Sequence, residues 1–434
     1  MISREYEQLW QAPDLVSRID QGIEANRKSD AVLRVEQADG SPAPGARVEI
    51  EQVASTFLFG GNLFKLGCYE DASLNEAYEQ RFVELFNAAT IALYWRTLEP
   101  EQGKPRFAAD SPFIDRRPPV DLAVAFCEKH GLNMNGHPLV WDLKLYSPPD
   151  WLPEDPAEAA PLWEKRIREI AERYGRRIQR WDVVNEVMLT WHRAPERSQP
   201  MLENYQRHAF TWAQRHMPEE AFLMINDGNV WDVEDATNYA RLIRRLIDEG
   251  ARVDGIGDQF HIFKNDRFER YLNGEILPPA ELLDTLDVLA PFELPLHISE
   301  ITLPALDNSA AGQAAQARAA SDLYRLWFSH RNVHAITWWN VPDGGAADLE
   351  NDVPSGLITR DLQPKPAYEA LHDLIHNQWR TRLTATADDA GEVRFRGFHG
   401  RYRVTCDDAP SEVDVLPGQE NRHIIRGQRC ARGA

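Results

Sequence analysis

The sequence predicts an α/β chain: a closed (β/α)8 TIM barrel with a small accessory β-sandwich built from its N- and C-terminal segments. Three observations carry this expectation. From residue 57 onward, eight short apolar, β-branched runs alternate with stretches of helical periodicity, which is the pattern of parallel βα units. These runs stop on polar or aromatic residues, as barrel strands do at the rim where catalytic groups sit. At the two ends of the chain, residues 30–56 and 380–427 alternate polar and apolar between turn residues, with no helix between strands.

Length and composition agree. A barrel of about 250 residues leaves part of this 434-residue chain for something smaller. The 48 basic and 68 acidic residues give a net charge of −20, which argues against nucleic acid or an anionic membrane as partner and favours a neutral ligand. Thirteen Trp serve two uses, core packing and stacking on the apolar faces of sugar rings. Cys68, Cys127, Cys406 and Cys430 are widely spread without metal-ligand spacing, so free thiols are expected. No stretch of about 18 apolar residues exists to span a membrane. The start, Met1 to Trp10, lacks the basic-then-apolar order of a secretory leader, so a cytoplasmic protein is expected unless a leader has been removed.

Taken in order, residues 1–29 read as an N-terminal helix, amphipathic over 4–28. Ala31 to Glu36 and Val48 to Val53 then alternate around an Asp39-Gly40 turn as a hairpin-like pair too small to close a core alone. The barrel is expected over 57–379. Its strands are placed at Phe57 to Phe64, Phe86 to Trp95, Asn133 to Trp141, Ile178 to Glu186, Ala221 to Asp227, Gly255 to Phe263, Pro295 to Thr302 and Val333 to Asn340. Helical periodicity fills Ala159 to Tyr174, Tyr205 to His216, Ala236 to Glu249, Ala280 to Leu289 and Ala314 to Ser329. Pro364 and Pro366 announce a last helix, Ala367 to Trp379. Beyond it, Thr381 to Thr386, Glu392 to Phe398 and Arg401 to Cys406 are short strands separated by turn chemistry. The two ends together supply about five strands, enough for one small sandwich with the barrel inserted between its halves. The tail, 428–434, is expected to be disordered.

The strand ends supply the candidate chemistry. In order they are Asn62; Tyr94 and Trp95; His137, Trp141 and Asp142; Asn185 and Glu186; Asn226 and Asp227; Gln259 and His261; Glu300; and Trp338 and Trp339. A lone His or Trp at a strand end is commonly structural, but eight such endings together point to one cavity. Glu186 and Glu300 close two β-branched runs about three strand-helix units apart. Paired carboxylates facing one cavity are the equipment of glycoside hydrolysis, one as proton donor and one as nucleophile or base. A non-catalytic sugar-binding barrel is the competing class, and binding alone requires neither glutamate. The histidines come from different strands without a helical His-x-x-x-His pair, so neither a metal site nor a cofactor is expected.

The motifs also resemble a family. Gly136-His137-Pro138-Leu139-Val140-Trp141, Trp181-Asp182-Val183-Val184-Asn185-Glu186, Asp254 to His261, and His297-Ile298-Ser299-Glu300 are similar to successive signatures of glycoside hydrolase family 10, the retaining endo-β-1,4-xylanases. Gln363 to Tyr368 is similar to its closing motif. The resemblance implies Glu186 as acid/base, Glu300 as nucleophile, Asn185 on the sugar 2-hydroxyl, His137, Gln259 and His261 around the central subsite, and Trp339 as a hydrophobic wall. It also implies a xylan-like β-1,4-linked polysaccharide as substrate, with another β-glycan or oligosaccharide as the alternative. Departures fall on the glycone side. Thr90 to Trp95 lacks the Asn and Lys that grip the next sugar out, Asp142 replaces a second His, Gly228 replaces a Tyr, and Gly344 to Ala347 lacks a second Trp. Residues 35–48, with 388–396 and 400–404, resemble strands of transthyretin-like, carboxypeptidase-regulatory-type sandwiches.

Overall fold

The computed structural model describes residues 2–188, 196–228 and 230–426, and the chain divides into two units. One comprises the residues up to Ala12, Leu58–Trp327 and Asn332–Leu371; the other comprises Pro13–Phe57, Phe328–Arg331 and the described residues from His372 on. Among the described residues no helix is long and apolar enough to cross a membrane. Cys68 and Cys127 are free thiols, Cys406 is buried, and Cys430 lies outside the described residues, as does the tail beyond residue 426.

Strands β1 (Lys28–Glu36) and β2 (Arg47–Ser55) precede the barrel. The barrel strands are β3 (Leu58–Asn62), β4 (Ala88–Ala92), β5 (Asn133–His137), β6 (Arg180–Asn185), β7 (Phe222–Gly228), β8 (Gly255–His261), β9 (Leu296–Thr302) and β10 (Val333–Trp338). All eight pair in parallel, and β10 closes on β3 from Ala335↔Leu58 to Trp338↔Gly61. Every residue of β6, β8 and β9 is buried, because a parallel strand in a barrel is covered on both faces. Amphipathic helices supply the outer cover. The Val233–Asp248 helix is capped by Asp232, whose side chain accepts the Asp235 N–H. It buries Ala236, Tyr239, Ile243 and Leu246 at helical spacing, and the Tyr239 hydroxyl donates to Gly257 O at 2.9 Å, so this large aromatic is polar-satisfied inside the wall.

The expected strands run past the observed ones because the polar rim residues already belong to loops: Trp95 opens a short helix, Trp95–Leu98, and Trp141 lies beyond β5. The single N-terminal helix is instead two, Arg4–Trp10 and Pro13–Arg27. Pro13 lacks the N–H that a continuous helix needs and suits a first helical position. The last helix is regular over Pro366–Asp373 and widens to a π-turn over Leu374–Gln378.

The second unit contains two sheets made from both ends of the chain. Strands β11 (Arg382–Thr386), β12 (Glu392–Phe398), β13 (Gly400–Cys406), β14 (Ala409–Val415) and β15 (Asn421–Arg426) complete them. The sheet orders are β12-β1-β15 and β11-β2-β13-β14. The hairpin expected between β1 and β2 is absent: the two strands lie in different sheets, and the connection through Asp39-Gly40 and Pro42 to Pro44 carries the chain from one to the other. Leu33, Val35, Val48, Ile50, Tyr402, Val404, Val415 and Ile425 form the shared core. Strands β14 and β15 are additional to the expected five; Pro410 and interspersed charges break the alternation that would have marked them.

Candidate active site

Glu186 follows β6 in the left-handed conformation, φ +55°, and its N–H donates to Asn226 O at 2.9 Å. The β6–β7 pairing slips between Asp182 and Val184, and such a bulge re-aims the residues beyond it. Asn185 and Glu186 are thereby both presented at the barrel mouth. Glu300, in the middle of β9, is held by donors from neighbouring strands. Its Oε1 accepts from Asn226 Nδ2 and Gln259 Nε2, each at 3.0 Å, and its Oε2 from His261 Nε2 at 3.2 Å. Because Nε2 of His261 faces a carboxylate it carries the proton, so Nδ1 accepts from the Thr302 hydroxyl at 2.9 Å. By the same logic His137 donates Nδ1–H to Asp182 Oδ2 at 2.8 Å, leaving Nε2 3.9 Å from Glu300 Oε1.

The two carboxyls are therefore unlike. Glu186 Oε2 is buried with no partner among the described residues. Burial foremost, then the negative charges of Glu300 and Asp227, push the Glu186 carboxyl well above the usual range, opposed in part by a hydrogen bond from Gln259. One glutamate is poised to carry a proton; the other is gripped by three donors. Asn226 is a positioning residue: Nδ2 donates to Asn185 Oδ1 (2.8 Å) and to Glu300, while Oδ1 accepts from Ser299 (2.6 Å). Gln259 also donates to Asn185 Oδ1 at 3.2 Å, which turns the Asn185 amide N–H outward for a ligand. Asp227 accepts the Met188 and Gly228 N–H groups at 2.7 and 2.9 Å and so shapes the turn after Glu186.

An aromatic wall surrounds these groups. Trp339 lies 5.2 Å from the His137 ring and 5.2 Å from Phe64, Tyr94 lies 5.6 Å from His137 and 5.8 Å from Trp141, and Trp141 stacks on Tyr146. Asn62 Nδ2 and Trp141 Nε1 are buried donors without partners among the described residues. Asp142 is buried where the chain leaves Trp141, and its carbonyl accepts the Gln199 N–H at 2.8 Å.

Two expected residues fall elsewhere. Trp95 donates Nε1–H to Glu99 at 2.8 Å and packs 4.5 Å from Trp163 of the Pro156–Tyr174 helix, so it belongs to the layer between barrel and helices. Trp338 is fully buried and donates to the carbonyls of Asn340 and Ser355. A Trp at a strand end reads the same in sequence whichever side it faces. Conversely, Phe64, Asp182, Thr302, Arg116, Arg117 and Glu350 were not singled out. Phe64, Asp182 and Thr302 sit inside runs read as strand in the sequence. The others come from loops without periodicity. Glu350 accepts from Asn340 Nδ2 at 3.2 Å, and its carboxyl is pushed up by burial, though the charges of His261 and Arg116 pull it down. Among the described residues no cluster of His, Cys, Asp and Glu is suited to a metal ion.

With this geometry in place, comparison with known proteins is specific. Residues 60–374 match the sequence profile of Glycosyl hydrolase family 10. The anti-sigma-I factor RsgI6 of Acetivibrio thermocellus is 25% identical over 397 residues, which are 90% of this chain and 46% of that protein. Endo-1,4-beta-xylanase 2 of Arabidopsis thaliana is 25% identical over 87% of this chain and 32% of its own length. This chain thus spans less than half of both relatives. Endo-1,4-beta-xylanase B of Thermotoga neapolitana, 25% identical, is covered over 89% of its length by 75% of this chain. Among solved structures, native xylanase 10B from Thermotoga maritima superposes with a TM-score of 0.58 at 22% identity, over 74% of this chain and 96% of that one. The barrel fold, the matched span and the paired glutamates after β6 and on β9 agree, and the chain belongs to glycosyl hydrolase family 10.

Proposed function

We propose that this protein is a retaining β-glycoside hydrolase that cleaves a xylan-like β-1,4-linked glycan by double displacement. The observation that carries the reading is the unlike pair: Glu186, buried with its proton favoured, beside Glu300, fixed by Asn226, Gln259 and His261. In the first step a Glu300 oxygen bonds to the anomeric carbon while the glycosidic C–O bond breaks and Glu186 gives its proton to the leaving oxygen. In the second, Glu186 takes a proton from water, the water oxygen attacks the anomeric carbon, and the bond to Glu300 breaks. His137, held by Asp182, and Asn185, held by Asn226 and Gln259, supply fixed hydrogen-bonding groups to the sugar. The xylanase names of several relatives support the substrate class.

The test is the stereochemistry of the product. Proton NMR of fresh hydrolysate should show the β-anomer first; initial α-product contradicts double displacement. Azide should restore turnover of an activated aryl β-glycoside to Glu186→Ala, with a β-glycosyl azide as product, and should not restore Glu300→Gln. We also propose that the terminal β unit, similar in its strands to transthyretin-like sandwiches, is structural: among its described residues no row of exposed aromatics faces outward.

A further inference from the structure

A buried guanidinium without a paired carboxylate among the described residues stands beside the cleft. Arg117 is 9% exposed, and its guanidinium carbon lies 4.1 Å from the Tyr94 ring centroid and 5.2 Å from that of Phe64. Among the described residues the guanidinium makes one hydrogen bond, from Nη1 to the carbonyl of Arg116 at 2.8 Å, and Nε is buried with no partner. Asp115, the acid whose charge it feels, is already paired with Lys65 at 2.6 Å. Two other buried arginines of the barrel unit rest on several carbonyls: Arg166, whose Nε is likewise buried without a partner among the described residues, donates to those of Leu93, Pro138 and Leu139, and Arg106 to those of Thr97, Pro112 and Arg117. A buried cation lacking both a carboxylate and a full set of carbonyls is costly and calls for a functional explanation.

Its position gives one. The Tyr94 ring that it covers is edge-on to His137, and the Tyr94 phenol feels the charges of Glu300 and Glu186 as well as both arginines. Stacking occupies the face of the guanidinium and leaves the N–H fork at its edge, the geometry that pairs with a carboxylate. Arg116, at φ +60°, donates Nε–H to Gly345 O at 2.6 Å, so the loop before Pro118-Pro119 is tied across to the loop after β10. The second of these loops, Gly344 to Ala347, is one of the places where the chain departs from its family's motifs, and Tyr94, which Arg117 covers, lies in another, Thr90 to Trp95.

We propose that Arg117, with Arg116 beside it, recognises a carboxylate on the glycone side of the substrate, so that the preferred glycan carries a uronic acid there, as a backbone unit or as a side branch. This rests on the glycosidase reading above. The net charge of −20 does not oppose it, because exposed charges beyond the Debye length of about 8 Å are screened.

The test uses the full chain and two substrate pairs: xylo-oligosaccharides with and without a glucuronosyl branch, and aryl β-glucuronide against aryl β-xyloside. The acidic member of one pair should have the higher kcat/KM by about tenfold or more, the effect of one charge-assisted contact, and the pair that shows it identifies backbone or branch. Arg117→Gln should collapse that ratio towards one, with Arg117→Lys intermediate, and added salt should raise KM for the acidic member alone. Equal losses on acidic and neutral members overturn the proposal. Thermal unfolding separates it from the catalytic reading. Sodium glucuronate should raise the Tm of the wild type more than xylose does, and this difference should vanish in Arg117→Gln. If no glycoside is cleaved but that shift appears, the hydrolase reading fails and carboxylate recognition stands; if no shift appears, recognition fails whatever is cleaved.

Discussion

Glu186 combines two unfavourable conditions, a left-handed backbone at φ +55° and a buried carboxyl pushed up by burial and by Glu300. A strained non-glycine residue costs about 1–3 kcal/mol, so Glu186→Gly should raise stability by about 1–3 kcal/mol while removing activity on unactivated glycosides, read by chemical denaturation and turnover. The pH dependence follows from the raised pKa. Below the ordinary carboxyl range both folded and unfolded forms hold the proton. As pH rises above it the unfolded chain releases the proton more readily, so Glu186 subtracts stability until the folded pKa is passed. Glu186→Gln should therefore gain most over wild type on the alkaline side of that window, and a pH-independent difference contradicts this. The same proton is needed for leaving-group departure, so activity should fall on the alkaline side for poor leaving groups and much less for activated ones. Glu186 and Glu300 were legible because each is a carboxylate set in or just after an apolar, β-branched run. Arg117 was not: it lies in an aperiodic loop, and its meaning depends on which ring it covers.

At the scale of the element, the site depends on glycines that let strands approach. Gly257 of β8 pairs with Asn226 of β7, and a Cβ there would sit 2.3 Å from Asn226 Oδ1. Gly257→Ala should displace the amide that holds both Asn185 and Glu300, costing about 1–3 kcal/mol of stability and lowering kcat by at least the tenfold that one misplaced hydrogen-bonding group produces. Retained kcat with unchanged Tm contradicts that role for Asn226. In β5, a Cβ on Gly136 would meet Trp181 at 2.5 Å, one residue from His137. The barrel elements were readable because eight βα repeats reinforce one period. The N-terminal helix and the β1–β2 connection were not: a single proline splits the first, and alternation alone does not say which sheet a strand joins.

At the scale of the whole molecule, both ends of the chain depend on each other. Strand β1 pairs only with β12 and β15, and β2 with β11 and β13, among the described residues. Removing residues 380–434 deletes every one of those partners. Residues 28–55 should then lose hydrogen-exchange protection and become open to proteolysis; persistent protection contradicts a shared core. That the termini belong together was visible in what each lacks, an edge and a core, whereas the seven-strand arrangement needed coordinates. The central assignment, Glu300 as nucleophile with Glu186 as acid/base, is tested most directly by trapping the intermediate with an activated 2-deoxy-2-fluoro-β-xyloside and mapping the labelled peptide by mass spectrometry. A single fluoroglycosyl adduct on Glu300 is the predicted result; an adduct on Glu186, or turnover with inverted product and no adduct, contradicts it.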